Sequence, residues 1–133
     1  MGVLGKIINP AEMCALVVDD NRTDRELTSG VLRYIGFKVV DVAFGGQEGL
    51  DKCKNNKYDI VFMDLLMPEV DGYDATMRVR QLGQGSFNAR IVALTSSIFD
   101  EKQVLKCVAN GMSDCIRKPL KVDLLKKRML RWK

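Results

Sequence analysis

The sequence predicts an α/β protein, a doubly wound five-stranded parallel sheet with helices on both faces. Two observations carry that prediction. Strand-like apolar runs alternate five times with helical patterns, and the connections between them are short. The first run, residues 14–18, is continuously apolar, which suits a central strand buried on both faces rather than a half-exposed one.

Each element has its own local reason. Residues 14–18 form the first strand and end in Asp19-Asp20. Residues 21–35 form a helix, with Leu27, Val31 and Ile35 four apart on one face and Gly36 as its stop. Residues 37–43 are a second strand. Gly45-Gly46 opens a helix over 47–54, and Asn55-Asn56 closes it. Residues 58–63 form a third strand and deliver Asp64 where the strand should end. Pro68 and Asp71-Gly72 mark a turn before a helix over 73–82. Residues 83–86 are a loop, and residues 90–94 a fourth strand ending in Thr95-Ser96-Ser97. A helix over 100–109 stops at Asn110-Gly111. Residues 115–117 are a short fifth strand ending in Lys118-Pro119, and residues 120–132 the last helix, packed down by Trp132. Right-handed crossovers leave few topologies, and the flavodoxin-like order 2-1-3-4-5 with five helices is the common one at this size.

Composition narrows the function. At 133 residues the chain is about one domain. Residues 14–133 are read as that domain and residues 1–13, with Gly2, Gly5, Asn9 and Pro10, as a linker or lead-in segment. There is no histidine, which excludes Ser-His-Asp and Cys-His catalysis and a His-ligated zinc site. The four cysteines lack C-x-x-C spacing, so the expectation is reduced thiols in a cytoplasmic protein. No apolar run approaches a membrane span, and Lys6 stands where a myristoylation signal needs Ser or Thr. The net charge is +4, with much of the excess after Arg117, which reads as a solvated basic helix face rather than a nucleic-acid site.

In the 2-1-3-4-5 order the carboxyl ends of strands one, three, four and five are neighbours. They bring together Asp19 and Asp20, Asp64, Thr95 and Ser96, and Lys118. Read singly, each has a plainer role: Asp19-Asp20 as a helix cap, Ser97 as a cap of the next helix, Lys118 as an exposed lysine before a turn proline. Read together, three carboxylates in one crevice are costly. Two unit charges ~4 Å apart repel by about 4 kcal/mol at an effective dielectric near 20. Either a carboxylate holds a proton or a cation sits among them. Oxygen-only ligands favour magnesium over zinc. We therefore expect a Mg2+ site with Asp20 and Asp64 as direct ligands, Asp19 direct or through water, and the Leu66 backbone carbonyl completing the protein's share.

Other chemistries lack their parts. No G-x-x-x-x-G-K-[ST] or G-x-G-x-x-G follows strand one. An aspartate-nucleophile phosphatase usually carries a second Asp two residues after the nucleophile, and Leu66 occupies that position. Magnesium-assisted phosphoryl transfer involving a carboxylate remains.

These residues resemble the receiver domain of two-component response regulators, over roughly residues 14–132. The resemblance rests on Asp19-Asp20, Phe62-Met63-Asp64 with Met67-Pro68 and Asp71-Gly72, Ala93-Leu94-Thr95 and Lys118-Pro119. Residues 64–73, Gly111-Met112 and Leu130-Arg131-Trp132 look most like receivers fused to hybrid histidine kinases. The resemblance implies that Asp64 is the phosphoacceptor and that Asp19 and Asp20 hold magnesium with it. It implies that Thr95 and Lys118 bind the phosphoryl oxygens and couple them to the helix-four, strand-five and helix-five face. The implied partner is a histidine kinase or histidine phosphotransfer protein, without direct nucleic-acid or membrane contact, and the oligomeric state stays open. One departure stands out: the family usually has an aromatic switch residue three positions before the lysine, and here that position is Cys115. A pseudo-receiver acting only as an interaction module is the alternative reading.

Overall fold

The structure is a computed structural model, and it describes residues 8–96 and 100–132. Five strands, β1 (Cys14–Val18), β2 (Val39–Ala43), β3 (Ile60–Asp64), β4 (Arg90–Thr95) and β5 (Asp114–Arg117), pair in parallel in the order β2-β1-β3-β4-β5. Between and after them run α1 (Arg22–Ile35), α2 (Gly46–Asn55), α3 (Gly72–Arg80), α4 (Glu101–Ala109) and α5 (Val122–Arg131). The expected fold class and strand order are those observed.

Alternating strand residues build two cores. Leu16, Val18, Val61, Met63, Ile91, Ala93 and Cys115 point to the α2–α3–α4 side, where Cys53, Ala75, Val79 and Cys107 cover them. Ala15, Val17, Ile60, Phe62, Val92, Leu94 and Ile116 face α1 and α5, covered by Leu32, Leu125, Met129 and Trp132. All five residues of β1 and β3 except Cys14 are buried, as a doubly covered strand requires.

Local chemistry sets the element ends. Asn21 caps α1 by accepting from the Asp24 N–H at 2.9 Å, so Asn21 rather than Asp19 or Asp20 is the cap. Asp71 caps α3 and Asp100 caps α4 in the same way. The alternative cap, Ser97, lies outside the described residues. Gly36 takes a left-handed φ of 103°, and the Phe37 N–H returns to the Leu32 carbonyl at 3.2 Å. Phe37 therefore closes the helix and packs with Leu32, which is why β2 begins two residues later than the apolar run suggested.

The buried face of α1 overlaps the Leu27–Val31–Ile35 stripe only in part, with Val31 and Ile35 partly buried against the core. Leu27 is 55% exposed, and Thr28, Ser29 and Leu32 are the buried residues. The polar pair hides this face from a hydrophobic pattern. Ahead of β1, Asn9 caps a 3-10 turn over Pro10–Glu12, and the Lys38 N–H donates to the carbonyls of Pro10 and Met13. Ile8 and Met13 pack against the α1–α5 core. Trp132 is buried, donates from Nε1 to Asp114 Oδ2 at 3.0 Å and stacks under Arg90. Among the described residues no helix is long and apolar enough to cross a membrane.

Candidate functional site

The carboxyl ends of β1, β3, β4 and β5 open on one crevice. Asp19 and Asp20 follow β1, Asp64 ends β3, Thr95 ends β4, and Lys118 follows β5. Carboxylate oxygens of Asp19, Asp20 and Asp64 lie within 4.8 Å of one another. Asp19 and Asp64 are buried and Asp20 is exposed, so the cluster has a dry floor and a wet mouth.

Lys118 crosses this floor. Its Nζ lies 2.8 Å from Asp19 Oδ2, 2.9 Å from Asp24 Oδ2 and 3.3 Å from Asp64 Oδ1. Asp19 also accepts from the Asn21 N–H at 2.9 Å through its other oxygen. Asp20 is thus the carboxylate turned to solvent, while Asp19 is largely spent on protein donors. Burial alone would lower the Lys118 ammonium; hydrogen bonds to Asp19 and Asp24 and the charge of Asp64 outweigh it and hold it above its ordinary value. Burial, and then the charge of Asp19, push the Asp64 carboxyl up to about 6, against the opposing pull of Lys118. One lysine does not neutralise three carboxylates, and the donor set is entirely oxygen. Both facts fit a hard divalent cation.

The β3–α3 loop holds Asp64 from behind. The Gly72 N–H donates to the Leu65 carbonyl at 3.0 Å, and a Cβ on Gly72 would stand 2.1 Å from the Asp64 carbonyl oxygen. Only glycine lets α3 begin so close to the strand end. Between them Glu69 has φ 67° and the Val70 N–H donates to the Pro68 carbonyl at 2.8 Å, a γ-turn. Leu66, two residues after Asp64, is 65% exposed.

Thr95 is buried, and its Oγ1 accepts from Gln103 Nε2 of α4 at 3.3 Å. The Lys118 N–H donates to the Thr95 carbonyl at 2.7 Å, locking the β4 and β5 ends together. Cys115 is a small buried strand residue, as expected, with Cys107 of α4 beside it; burial above all raises its thiol to about 12. Sequence reasoning missed Asp24 and Gln103. Asp24 reads as an ordinary first-turn acid, and nothing local ties it to a lysine 94 positions away. Gln103 reads as a helix residue of no special kind.

The doubly wound sheet thus carries an acidic crevice, a hydroxyl and a lysine at its carboxyl edge. The profile of the response regulator receiver domain matches residues 15–130, and the chain belongs to that family. Its curated relatives are receiver domains of hybrid histidine kinases. The sensor histidine kinase RcsC of Salmonella typhimurium is 36% identical over 119 residues, covering 89% of this chain and 12% of the kinase. The osmosensing histidine protein kinase SLN1 of Saccharomyces cerevisiae is 35% identical over 124 residues, covering 89% of this chain and 10% of the kinase. The chain thus spans about a tenth of the length of these relatives. Among solved structures, the receiver domain of the sensor histidine kinase PA1611 from Pseudomonas aeruginosa superposes with TM-score 0.79 at 29% identity. It covers 92% of this chain and 98% of that one, and carries a magnesium ion in its active-site cleft. The receiver domain of the histidine kinase CKI1 from Arabidopsis thaliana, complexed with Mg2+, superposes with TM-score 0.77 at 26% identity, covering 89% and 91%.

Proposed function

We propose that this receiver domain is a phosphoacceptor in a two-component phosphorelay, with Asp64 as the nucleophile. The observation that carries the proposal is the set of three carboxylate oxygens within 4.8 Å with Lys118 across their floor. A magnesium ion held by Asp20 and Asp64, with Asp19 direct or through water and the Leu66 carbonyl, would supply charge and ligand positions for phosphoryl oxygens. An Asp64 oxygen attacks the phosphorus of a partner's phosphohistidine; the P–N bond breaks, and its electron pair leaves with the imidazole. Lys118 pairs with the phosphoryl oxygens, and the Thr95 hydroxyl donates to one of them. The donor is a histidine kinase or histidine phosphotransfer protein, and the output face is α4–β5–α5. The domain turns over only its own phosphorylation and slow dephosphorylation, at a cytoplasmic location.

The test is intact mass after incubation with acetyl phosphate, with Mg2+ and with EDTA, beside Asp64→Asn. A Mg2+-dependent gain of one phosphoryl group, lost in Asp64→Asn, supports the reading. No gain with the fold intact favours the second reading, a pseudo-receiver that only binds partners, for which Cys115 at the switch position is the supporting observation.

A further inference from the structure

Three carboxylates share Lys118, and they hold it unequally. Its ammonium has three N–H donors. One goes to Asp19 Oδ2 at 2.8 Å and one to Asp24 Oδ2 at 2.9 Å. Asp64 Oδ1 lies farther off, at 3.3 Å, as an ion pair. The ammonium therefore leans towards α1 rather than towards Asp64.

Two of these partners are fixed. Asp19 is buried and its other oxygen accepts from the Asn21 N–H, and Asp64 is buried at the end of β3. Asp24 is the exchangeable one. Its side chain is 36% exposed, and it stands outside the cluster of Asp19, Asp20 and Asp64. Water can take the place of Lys118 at Asp24 at small cost, and has no access to Asp19. The Asp24 N–H donates to the Asn21 side chain at 2.9 Å, so the cap that begins α1 also fixes the backbone from which this carboxylate reaches the lysine.

A phosphoryl group on Asp64 would bring about two negative charges and three acceptor oxygens to the crevice. Lys118 can keep Asp19 and offer that group the N–H now bonded to Asp24.

We propose that Asp24 is a positioning residue that competes with the phosphoryl group for Lys118, so that its release accompanies phosphorylation and its charge acts as a brake. This rests on the reading of Asp64 as the phosphoacceptor. No covalent bond changes at either residue: one N–H exchanges a carboxylate oxygen for a phosphoryl oxygen, and Asp24 passes to water. A neutral amide accepts from an ammonium less strongly than a carboxylate does, so Asp24→Asn weakens the competitor.

The test uses the whole chain with isotope-labelled lysine, read at the lysine ammonium groups by NMR. Lys118→Arg assigns the Lys118 resonance. In EDTA without donor, Asp24→Asn should shift that resonance. Glu26→Gln, which removes a charge from the same helix where Glu26 pairs with Arg22, should not. At saturating Mg2+, beryllofluoride then serves as the phosphoryl analogue. Asp24→Asn should bind it about threefold more tightly than the parent, whereas Asp24→Glu, which keeps the charge, and Glu26→Gln should bind like the parent. With acetyl phosphate, Asp24→Asn should gain its phosphoryl mass faster by a similar factor. Equal or weaker beryllofluoride binding by Asp24→Asn overturns the proposal. So does an equal gain from Glu26→Gln, which would reduce the effect to net charge, and so does a Lys118 resonance that ignores Asp24→Asn. If neither beryllofluoride nor acetyl phosphate modifies the parent, the phosphoacceptor reading falls and the exchange with it, while the donor-free resonance still decides whether Asp24 holds Lys118.

Discussion

The Nζ of Lys118 lies 2.9 Å from Oδ2 of Asp24, so the lysine after β5 is held by the first turn of α1 as well as by the crevice floor. Asp24 thus fixes where the ammonium sits relative to Asp64. Its side chain is 36% exposed, whereas that of Asp19 is fully buried. Asp24→Asn should therefore cost little, about 1 kcal/mol. Lys118→Met leaves Asp19 and Asp64 facing each other without a cation, and should cost about 3 kcal/mol. Urea unfolding in EDTA measures both. Adding Mg2+ should restore more stability to Lys118→Met than to the unsubstituted chain, because the ion replaces the missing charge.

Asp64 makes stability depend on pH. Its carboxyl is raised to about 6 in the folded chain, above the unfolded value of about 4. Its contribution is fully present below about pH 4 and is lost as pH rises through about 6. Asp64→Asn removes the buried charge. It should be more stable than the parent at pH 7.5, by on the order of 2 kcal/mol, with the gain shrinking towards pH 4.5. Chemical denaturation in EDTA at the two pH values checks the sign. Mg2+ should narrow the gap at pH 7.5.

The β3–α3 loop separates a required glycine from a tolerant neighbour. Gly72→Ala pushes a methyl group against the Asp64 carbonyl oxygen and should cost about 3 kcal/mol. Glu69, at φ 67°, is the strained residue of the loop. Glu69→Gly relieves that φ while loosening the unfolded chain, so its net effect should stay within about 1 kcal/mol. Thermal unfolding of the two variants should rank them in that order.

Leu66 sets phosphoryl lifetime under the proposed function. Its exposed side chain has no group that can orient or deprotonate a water. The aspartyl phosphate should persist for minutes or longer, and Leu66→Glu should shorten it several-fold. Timed intact-mass measurements after removal of the phosphodonor give both numbers, and decay of the parent within seconds would count against this role for Leu66.

Basic character is spread along the last helix and is not spent on the site. Arg128 pairs with Asp114 at 2.8 Å, and Trp132 joins the same carboxylate. Asp114→Ala should therefore loosen α5 from β5 and lower the melting temperature without abolishing phosphorylation. Trp132 fluorescence during thermal unfolding would register the change.

The five strands and the four strand ends that build the crevice were legible in the sequence, and the strand order came from the crossover rule and the size of the chain. The strands and their ends follow from local signals: apolar runs, turn residues and caps within a few positions of each other. Asp64 was legible because a strand run stops at it; Asp19-Asp20, Thr95 and Lys118 because each follows a run in the same way. Tertiary structure alone decided how those groups are partnered. Asp24 reaches Lys118 across 94 positions, Gln103 turns its amide to Thr95, and Tyr73 lies under Lys106. It also decided that α1 turns Leu27 outward and buries Thr28, Ser29 and Leu32 beside the partly buried Val31 and Ile35. The physical reason is common to all four. A side chain's partner depends on which helix faces are pressed together when the two cores close, and no residue's immediate neighbours in sequence encode that geometry.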